Sequence, residues 1–234
     1  MCLYPKIMLN PKYKPNKKNK GKPPICTDER LRYVSVGCGQ CYECRKQKAS
    51  QWKVRMMEEI RHDKTGLYIT LTFSPEKHEY YKNKSEINED DNELATSAVR
   101  DCLERIRKKT KKSIKHWSIT ELGHTGTERI HIHGIIWGEN ARELIEEKWQ
   151  NGWIWVGEYV NQKTINYIIK YVHKVDKDHK EFTPKVLTSA GIGREYINRS
   201  DAEKNKYNEK TKESYTFRNG TESSLPIYYR SKIS

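Results

Sequence analysis

The sequence predicts an α+β fold in which a central, mainly antiparallel sheet is flanked by helices and preceded by a cysteine-rich leader. Two observations lead to this prediction. Segments rich in β-branched and aromatic residues alternate along the chain with segments whose apolar residues recur every three to four positions. Their order is strand, helix, strand, strand, helix, strand, helix, and a glycine-containing turn joins the two consecutive strands, which favours an antiparallel pair.

The first elements follow the leader directly. Apolar residues at helical spacing, separated by many charges, predict a helix over residues 42–62. The β-formers of residues 67–73 predict a strand, and Pro75 ends it. The polar stretch 76–91 is predicted to be a loop.

The remaining elements complete the predicted sheet and its cover. An apolar stripe that includes Cys102 predicts a helix over 93–109, so we interpret this cysteine as a core residue. Residues 115–121 and 129–137 are predicted to form a hairpin. The last predicted elements are a helix over 141–149, a short strand over 153–159 and a helix over 164–173.

Composition divides the chain into three predicted regions. Residues 1–62, with a proline-rich, basic and irregular start, form a cysteine-containing leader and the first helix. Residues 63–185 form the catalytic core. Residues 186–234 are polar and weakly periodic, and we predict an extension that packs on the core or trails from it.

The charge balance favours a polyanionic partner. Lys and Arg total 45 against 31 Asp and Glu, a formal net charge of +14, and 15 Tyr and 6 Trp offer rings that can stack on bases. Nucleic acid fits this composition better than a membrane surface does, although lysines can also serve only to solubilise a fold. No apolar run has the length of a membrane span or a signal peptide, so we expect a cytoplasmic protein.

The leader contains a candidate zinc site. Cys38, Cys41 and Cys44 follow one another at two-residue intervals, and Cys26 or Cys2 can supply a fourth sulfur. In a cytoplasmic protein such cysteines are more readily metal ligands than disulfides. The alternative is that Cys41 and Cys44, one helical turn apart, only pack beneath the leader.

A histidine pair on a predicted strand suggests a metal site. Side chains alternate between the two faces of a strand, so His131 and His133 point the same way and can hold one cation. Glu121, at the end of the partner strand, is the candidate third ligand, with His124 as a competitor. The alternative is that both histidines are merely outward-facing polar residues.

The helix predicted over 164–173 has one chemically active side. A turn of about 100° per residue puts Tyr167, Lys170, Tyr171 and Lys174 on one side, opposite an apolar stripe. A phenol is a weak nucleophile at neutral pH, and the two lysines are placed to favour the phenolate.

These motifs together resemble the HUH rolling-circle replication initiators. The three motifs of that family are matched in order by Thr70-Leu-Thr72-Phe73, by Glu121-Leu-Gly123 with His131-Ile-His133, and by the run from Tyr167 to Lys174. The chain is most similar to the replication-associated proteins of microviruses, especially the gokushovirus-like phages. Their leader signature resembles Cys38 to Arg45 with Trp52 and Arg55, and their carboxy-terminal signature resembles Leu225-Pro-Ile-Tyr-Tyr.

The resemblance implies an HUH endonuclease fold and a nicking and joining reaction at a phage origin. Tyr167 and Tyr171 would attack the DNA in turn through a 5′-phosphotyrosine link, while a divalent cation, Mn²⁺ or Mg²⁺, polarises the phosphate. We expect that cation on His131, His133 and Glu121, and expect Arg129, Lys170 and Lys174 to contact DNA. The sequence has no nucleotide-binding P-loop, so the implied partners are origin DNA with a host helicase and polymerase, in the cytoplasm of a bacterium.

Three alternatives stay open. A non-enzymatic single-stranded DNA-binding protein would explain the charge and the aromatic residues but not the histidine pair. A metal-dependent nuclease that uses water would cut without forming a covalent adduct. Within the HUH group, a plasmid relaxase or a single-strand transposase would use the same chemistry on other DNA.

Overall fold

The computed structural model describes residues 2–84, 90–124, 128–176, 178–206, 208 and 211–233. The chain divides into two compact units, Met1–Gln47 and Lys48–Ser234. The described strands are β1 (Lys6–Leu9), β2 (Tyr33–Val36), β3 (Leu67–Leu71), β4 (Lys115–Leu122), β5 (Ile130–Trp137), β6 (Ile154–Val156), β7 (Val186–Thr188), β8 (Ser214–Thr216) and β9 (Glu222–Ser224). The described helices are α1 (Tyr42–His62), α2 (Pro75–Lys84), α3 (Asp91–Thr110), α4 (Ala141–Lys148), α5 (Gln162–His173), α6 (Ser200–Lys204) and α7 (Ile227–Ile233).

The first unit contains regular structure that the sequence did not predict. Strands β1 and β2 pair antiparallel, with Lys6 opposite Val36 and Leu9 opposite Tyr33. The β-branched residues Val34 and Val36 favour this pairing, and the prolines of the leader lie mostly between the two strands. The prediction of an irregular start was therefore wrong at these strands.

The second unit is built on a five-stranded sheet with the order β6-β3-β5-β4-β7. Every neighbouring pair in this sheet is antiparallel. Helices pack on it, so the predicted α+β class with a mainly antiparallel sheet is confirmed. Strands β4 and β5 form its centre and pair over their full length, from Lys115 opposite Trp137 to Leu122 opposite Ile130.

Both faces of the sheet are covered, because alternate positions of the central strands are apolar on each side. On one face Ile132 and Ile136 pack in a core with residues of α3 and α4. On the other face Trp117 and Ile135 pack against α1 and against the apolar stripe of α5. That stripe consists of Ile165, Ile168, Ile169 and Val172, all buried.

The structure corrects the loop predicted over 76–91. Residues Pro75–Lys84 form α2, and residues 85–89 lie outside the described part of the chain. A helix with one buried residue shows little apolar periodicity, which is why the pattern was missed. That residue, Tyr81, packs near Phe73 and donates a hydrogen bond to Asp101 over 3.1 Å.

The boundaries of α5 also differ from the prediction. Asn161 caps the helix: its side chain accepts a hydrogen bond from the backbone N–H of Thr164, whose hydroxyl in turn accepts one from the Asn161 N–H. This capping box starts the helix at Gln162. The helix ends at His173, so Lys174 is its C-cap residue and not a helical one.

The carboxy-terminal region packs on the side of α1 that faces away from the sheet. Tyr196, Tyr215 and Tyr229 form a buried cluster with Val54 of α1. The guanidinium of Arg55 lies 4.3 Å from the Trp52 ring centroid and 4.0 Å from that of Tyr228. Residues of the leader signature and of the carboxy-terminal signature therefore contact each other directly.

Candidate active site

The register of three strands gathers polar side chains on the sheet face that α5 covers. Glu121 of β4 lies directly opposite His131 of β5. Thr70 of β3 lies opposite His133. Partners that face each other across a ladder share one side of the sheet, so these four side chains lie on the same face.

His133 is held from both sides of its ring. Its Nε2 lies 2.9 Å from Glu121 Oε2, and its Nδ1 lies 3.0 Å from Tyr68 Oη and 3.2 Å from Thr70 Oγ1. Burial raises the pKa of Tyr68 to about 12, so this phenol keeps its proton. A hydroxyl can donate or accept, and therefore either tautomer of His133 finds a partner at Nδ1.

His131 lies beside these groups without joining them. Its side chain packs against Gly123, where an added Cβ would meet the imidazole carbon Cε1 at 3.2 Å. Among the described residues, His131, His133 and Glu121 do not bring their ligand atoms within 4.8 Å of one another. Burial, and then the charge of His133, lower the pKa of His131, which favours the neutral imidazole that binds metals.

The two tyrosines of α5 meet above His133. The Tyr171 ring stacks on the imidazole of His133 with centroids 4.7 Å apart and planes 8° from parallel. The hydroxyls of Tyr167 and Tyr171 are 2.8 Å apart. Tyr167 is 50% exposed, whereas burial, followed by the hydrogen bond to Tyr167, raises the pKa of Tyr171. The environments of the two hydroxyls thus differ.

Of the predicted basic residues, Lys174 reaches the site. Its Nζ lies 3.0 Å from Glu121 Oε1. Burial opposes ionisation of Glu121, but hydrogen bonds from His133 and Lys174 outweigh it and lower the pKa of the carboxyl. Arg129 lies near enough for its charge to act on His131. Lys170 is exposed, and within the described part of the chain it forms no ion pair.

The donor set fits a divalent cation. Glu121 Oε2 and His133 Nε2 already approach each other at 2.9 Å, so one cation between them requires small adjustments only. A carboxylate with imidazoles suits Mn²⁺ well and Mg²⁺ acceptably. The hydroxyls at His133 Nδ1 supply the outer support that metal-binding histidines usually have.

A cluster of four cysteines lies in the first unit. The sulfurs of Cys2, Cys38, Cys41 and Cys44 lie within 4.8 Å of one another. The predicted set with Cys26 is corrected, because Cys26 donates to the Asp28 carbonyl instead. Cys41 N–H donates to Cys38 Sγ over 3.2 Å. Other backbone N–H groups bind Cys41 and lower its thiol pKa to about 6, which favours the thiolate that metals bind.

His124, the competitor for the third ligand position, belongs to a different cluster. Its Nε2 lies 3.2 Å from Asp176 Oδ2 and its Nδ1 lies 3.2 Å from Asp178 Oδ2. His179 completes the group, with Nδ1 3.5 Å from Asp176 Oδ1. This network links the end of β4 to the segment that follows α5.

Two members of the site were missed from the sequence. Tyr68 contacts His133, and Trp155 of β6 lies directly opposite Thr70 on the same sheet face. The alternation along β3 would have identified Tyr68, because it precedes Thr70 by two positions. No comparable signal exists for Trp155, since its place depends on which strand pairs with the edge of β3.

One comparison with known proteins is informative. Residues 66–176 match the family model of the replication-associated protein ORF2. No curated protein and no solved structure matches the chain. In the described residues, no helix combines the length and apolarity needed to cross a membrane. The matched segment holds the two tyrosines, both histidines and Glu121, and the match supports a rolling-circle replication initiator family.

Proposed function

We propose that the chain is the rolling-circle replication endonuclease and ligase of a circular single-stranded DNA phage. It nicks origin DNA by tyrosine attack, forms a 5′-phosphotyrosine and rejoins the displaced strand. The observation that supports this best is the pair of tyrosine hydroxyls, 2.8 Å apart, above a histidine that contacts a carboxylate at 2.9 Å. The microvirus-like leader and carboxy-terminal signatures favour a phage of that kind.

Tyr167 is assigned the first attack. It is half-exposed, whereas Tyr171 is stacked on His133 and its pKa is raised by burial and by the hydrogen bond to Tyr167. Tyr171 therefore keeps its proton and can donate it in a hydrogen bond to the Tyr167 oxygen as negative charge develops there. Tyr171 acts second, when the origin has been regenerated.

The reaction is balanced without a nucleotide. Tyr167 Oη forms a bond to phosphorus, the bond from phosphorus to the 3′ oxygen breaks, and that oxygen takes up a proton as the phenol loses its own. In rejoining, a 3′-hydroxyl attacks the phosphotyrosine and the phenol is released. The phosphodiester bond energy is retained in the covalent link, so ATP is not consumed.

The residues around the tyrosines prepare the phosphate. Glu121 and His133 would hold a divalent cation, Mn²⁺ or Mg²⁺, with His131 beside them, and such a cation would polarise the scissile phosphate. Lys174 adds a positive charge 3.0 Å from Glu121. Positive charge near the non-bridging oxygens stabilises the transition state of phosphoryl transfer.

Origin DNA, a host helicase and a host polymerase are the proposed partners, in the cytoplasm of the bacterial host. The formal charge of +14 favours association with DNA. Arg129, beside His131, and the exposed Lys170 are proposed to bind phosphates on either side of the nick.

A structural zinc ion is proposed for the first unit. Cys2, Cys38, Cys41 and Cys44 offer four sulfurs within 4.8 Å of one another, the ligand number of a closed structural zinc site. Backbone N–H groups already donate to these sulfurs, as in other thiolate metal sites.

A denaturing gel tests the proposed reaction. Purified protein is mixed with Mn²⁺ and single-stranded oligonucleotides that tile the DNA carrying its gene, and a nuclease-sensitive, slower protein band reports the covalent adduct. We expect this band in the wild type and in Tyr171→Phe, but neither in Tyr167→Phe nor in the double variant. Tyr80→Phe, at an exposed tyrosine of α2, is the matched control and should behave as the wild type.

The same gel separates the alternatives. DNA cut without an adduct would mean that water is the nucleophile. DNA bound tightly but never cut on any tile would favour a single-stranded DNA-binding protein, which the exposed aromatic residues beside the site would also suit. An adduct lost only in Tyr171→Phe would reverse the assigned order of the tyrosines.

A further inference from the structure

A pocket of about 690 Å³ adjoins the tyrosines on the open side of the sheet. Its lining includes Tyr68, Trp155, Tyr159, Lys163 and Tyr167. Resting on the proposed function, we propose that this pocket binds one unpaired base of single-stranded DNA next to the scissile phosphate. It would thereby fix which phosphate faces the nucleophile.

The pocket presents aromatic surface that nothing in the described chain covers. Tyr159 is 65% exposed and Trp155 is 46% exposed. Large exposed rings grouped at one place are unusual for a surface that serves only solubility. Base stacking on such rings tolerates any sequence, because every base has a π-face.

Trp155 is held in place before any ligand arrives. Tyr68 contacts it edge-on, with ring centroids 5.6 Å apart and planes at 66°. Gly157 leaves room for the indole, since a Cβ there would lie 3.1 Å from Cη2 of Trp155. The ring is therefore a preformed platform rather than a freely rotating side chain.

The position of the pocket relates it to the reaction. Trp155 lies opposite Thr70, whose hydroxyl is 3.2 Å from His133 Nδ1. Tyr167 lines the pocket and at the same time has its hydroxyl 2.8 Å from that of Tyr171. A base on Trp155 would therefore place its own phosphate beside the attacking oxygen.

The charged residues favour a base inside the pocket and a phosphate at its rim. Glu158 lines the pocket, and its carboxylate would repel a phosphate but accept hydrogen bonds from a base amino group. Lys163 lies in the first turn of α5, where its charge and the helix amino terminus both attract a phosphate. A nucleotide satisfies both requirements.

The test is a coupling experiment between the pocket and single positions of the DNA. Oligonucleotides cut by the wild type are prepared with one abasic site at each position flanking the nick. Dissociation constants and adduct rates are measured for the wild type, Trp155→Ala, Tyr159→Ala and Trp153→Ala. Trp153 is 62% exposed on the same edge but does not line the pocket, which makes it the matched control.

We expect one abasic position to weaken wild-type binding by roughly 10- to 100-fold. Trp155→Ala and Tyr159→Ala should weaken binding of the intact strand and abolish most of that position's effect, while Trp153→Ala should retain it. The pocket proposal is wrong if no single position matters, if Trp155→Ala keeps the full abasic effect, or if Trp153→Ala loses it equally. If no tile is cut, the abasic site is moved along a tightly bound oligonucleotide instead; the proposed function then fails, while the dissociation constants still decide the pocket.

Discussion

The two hydroxyls beside His133 lead to a prediction about cation affinity that depends on their redundancy. When a cation binds Nε2 of His133, the ring proton must lie on Nδ1 and needs an acceptor. Tyr68 Oη at 3.0 Å and Thr70 Oγ1 at 3.2 Å both reach that nitrogen. One proton can be accepted well by only one of them. Either hydroxyl alone should therefore support the site.

The expected magnitudes follow from this geometry. Tyr68→Phe and Thr70→Val each remove one hydroxyl while keeping most of the side-chain volume, so each should raise the Mn²⁺ concentration for half-maximal cleavage only about 2-fold. The double variant leaves a nearly buried N–H without an acceptor, a cost of about 1–3 kcal/mol, which predicts roughly a 10- to 100-fold increase. The combined loss should thus greatly exceed the product of the single losses.

The assay is a Mn²⁺ titration of adduct formation, repeated as direct Mn²⁺ binding by calorimetry in the absence of DNA. The second readout keeps the prediction testable if the variants change DNA binding. The reasoning is refuted if Tyr68→Phe alone weakens Mn²⁺ as much as the double variant does. Independent, multiplicative losses would equally contradict the idea that the two hydroxyls substitute for each other.

Three further predictions concern other groups. Lys174→Met should slow adduct formation by roughly 10- to 100-fold because it removes a cation from the site, whereas Lys170→Met should mainly weaken DNA binding and flatten its salt dependence. Cys2→Ser should lose bound zinc, measured by atomic absorption, and Cys26→Ser should retain it. Burial lowers the pKa of His116 from its ordinary value of 6.5, so the unfolded chain binds the proton first as the pH falls. Unfolding free energy should be fully present above about pH 6.5 and decline below it, by up to about 1.4 kcal/mol per pH unit; His116→Asn should reduce this slope in urea melts at several pH values.

The sequence was most informative where periodicity and length agree. The hairpin of β4 and β5 and the amphipathic helix α5 were predicted nearly to their ends, because alternate or helically spaced apolar residues are buried in each. The helix α2 was missed because Tyr81 alone anchors it. The fourth cysteine could not be chosen from spacing, since Cys2 reaches Cys38 through the pairing of β1 with β2 rather than through a local motif.

The asymmetry of the two tyrosines arises from packing and not from their sequence context. Each is followed three positions later by lysine, so the pattern treats them alike. The apolar stripe of α5 fixes the rotation of the helix on the sheet, and that rotation lays Tyr171 over the imidazole of His133 while leaving Tyr167 half in solvent. Two chemically identical hydroxyls thereby acquire different tendencies to ionise, and the hydrogen bond between them couples those tendencies. A change in the buried stripe, far from the phosphate, could consequently alter which tyrosine attacks first.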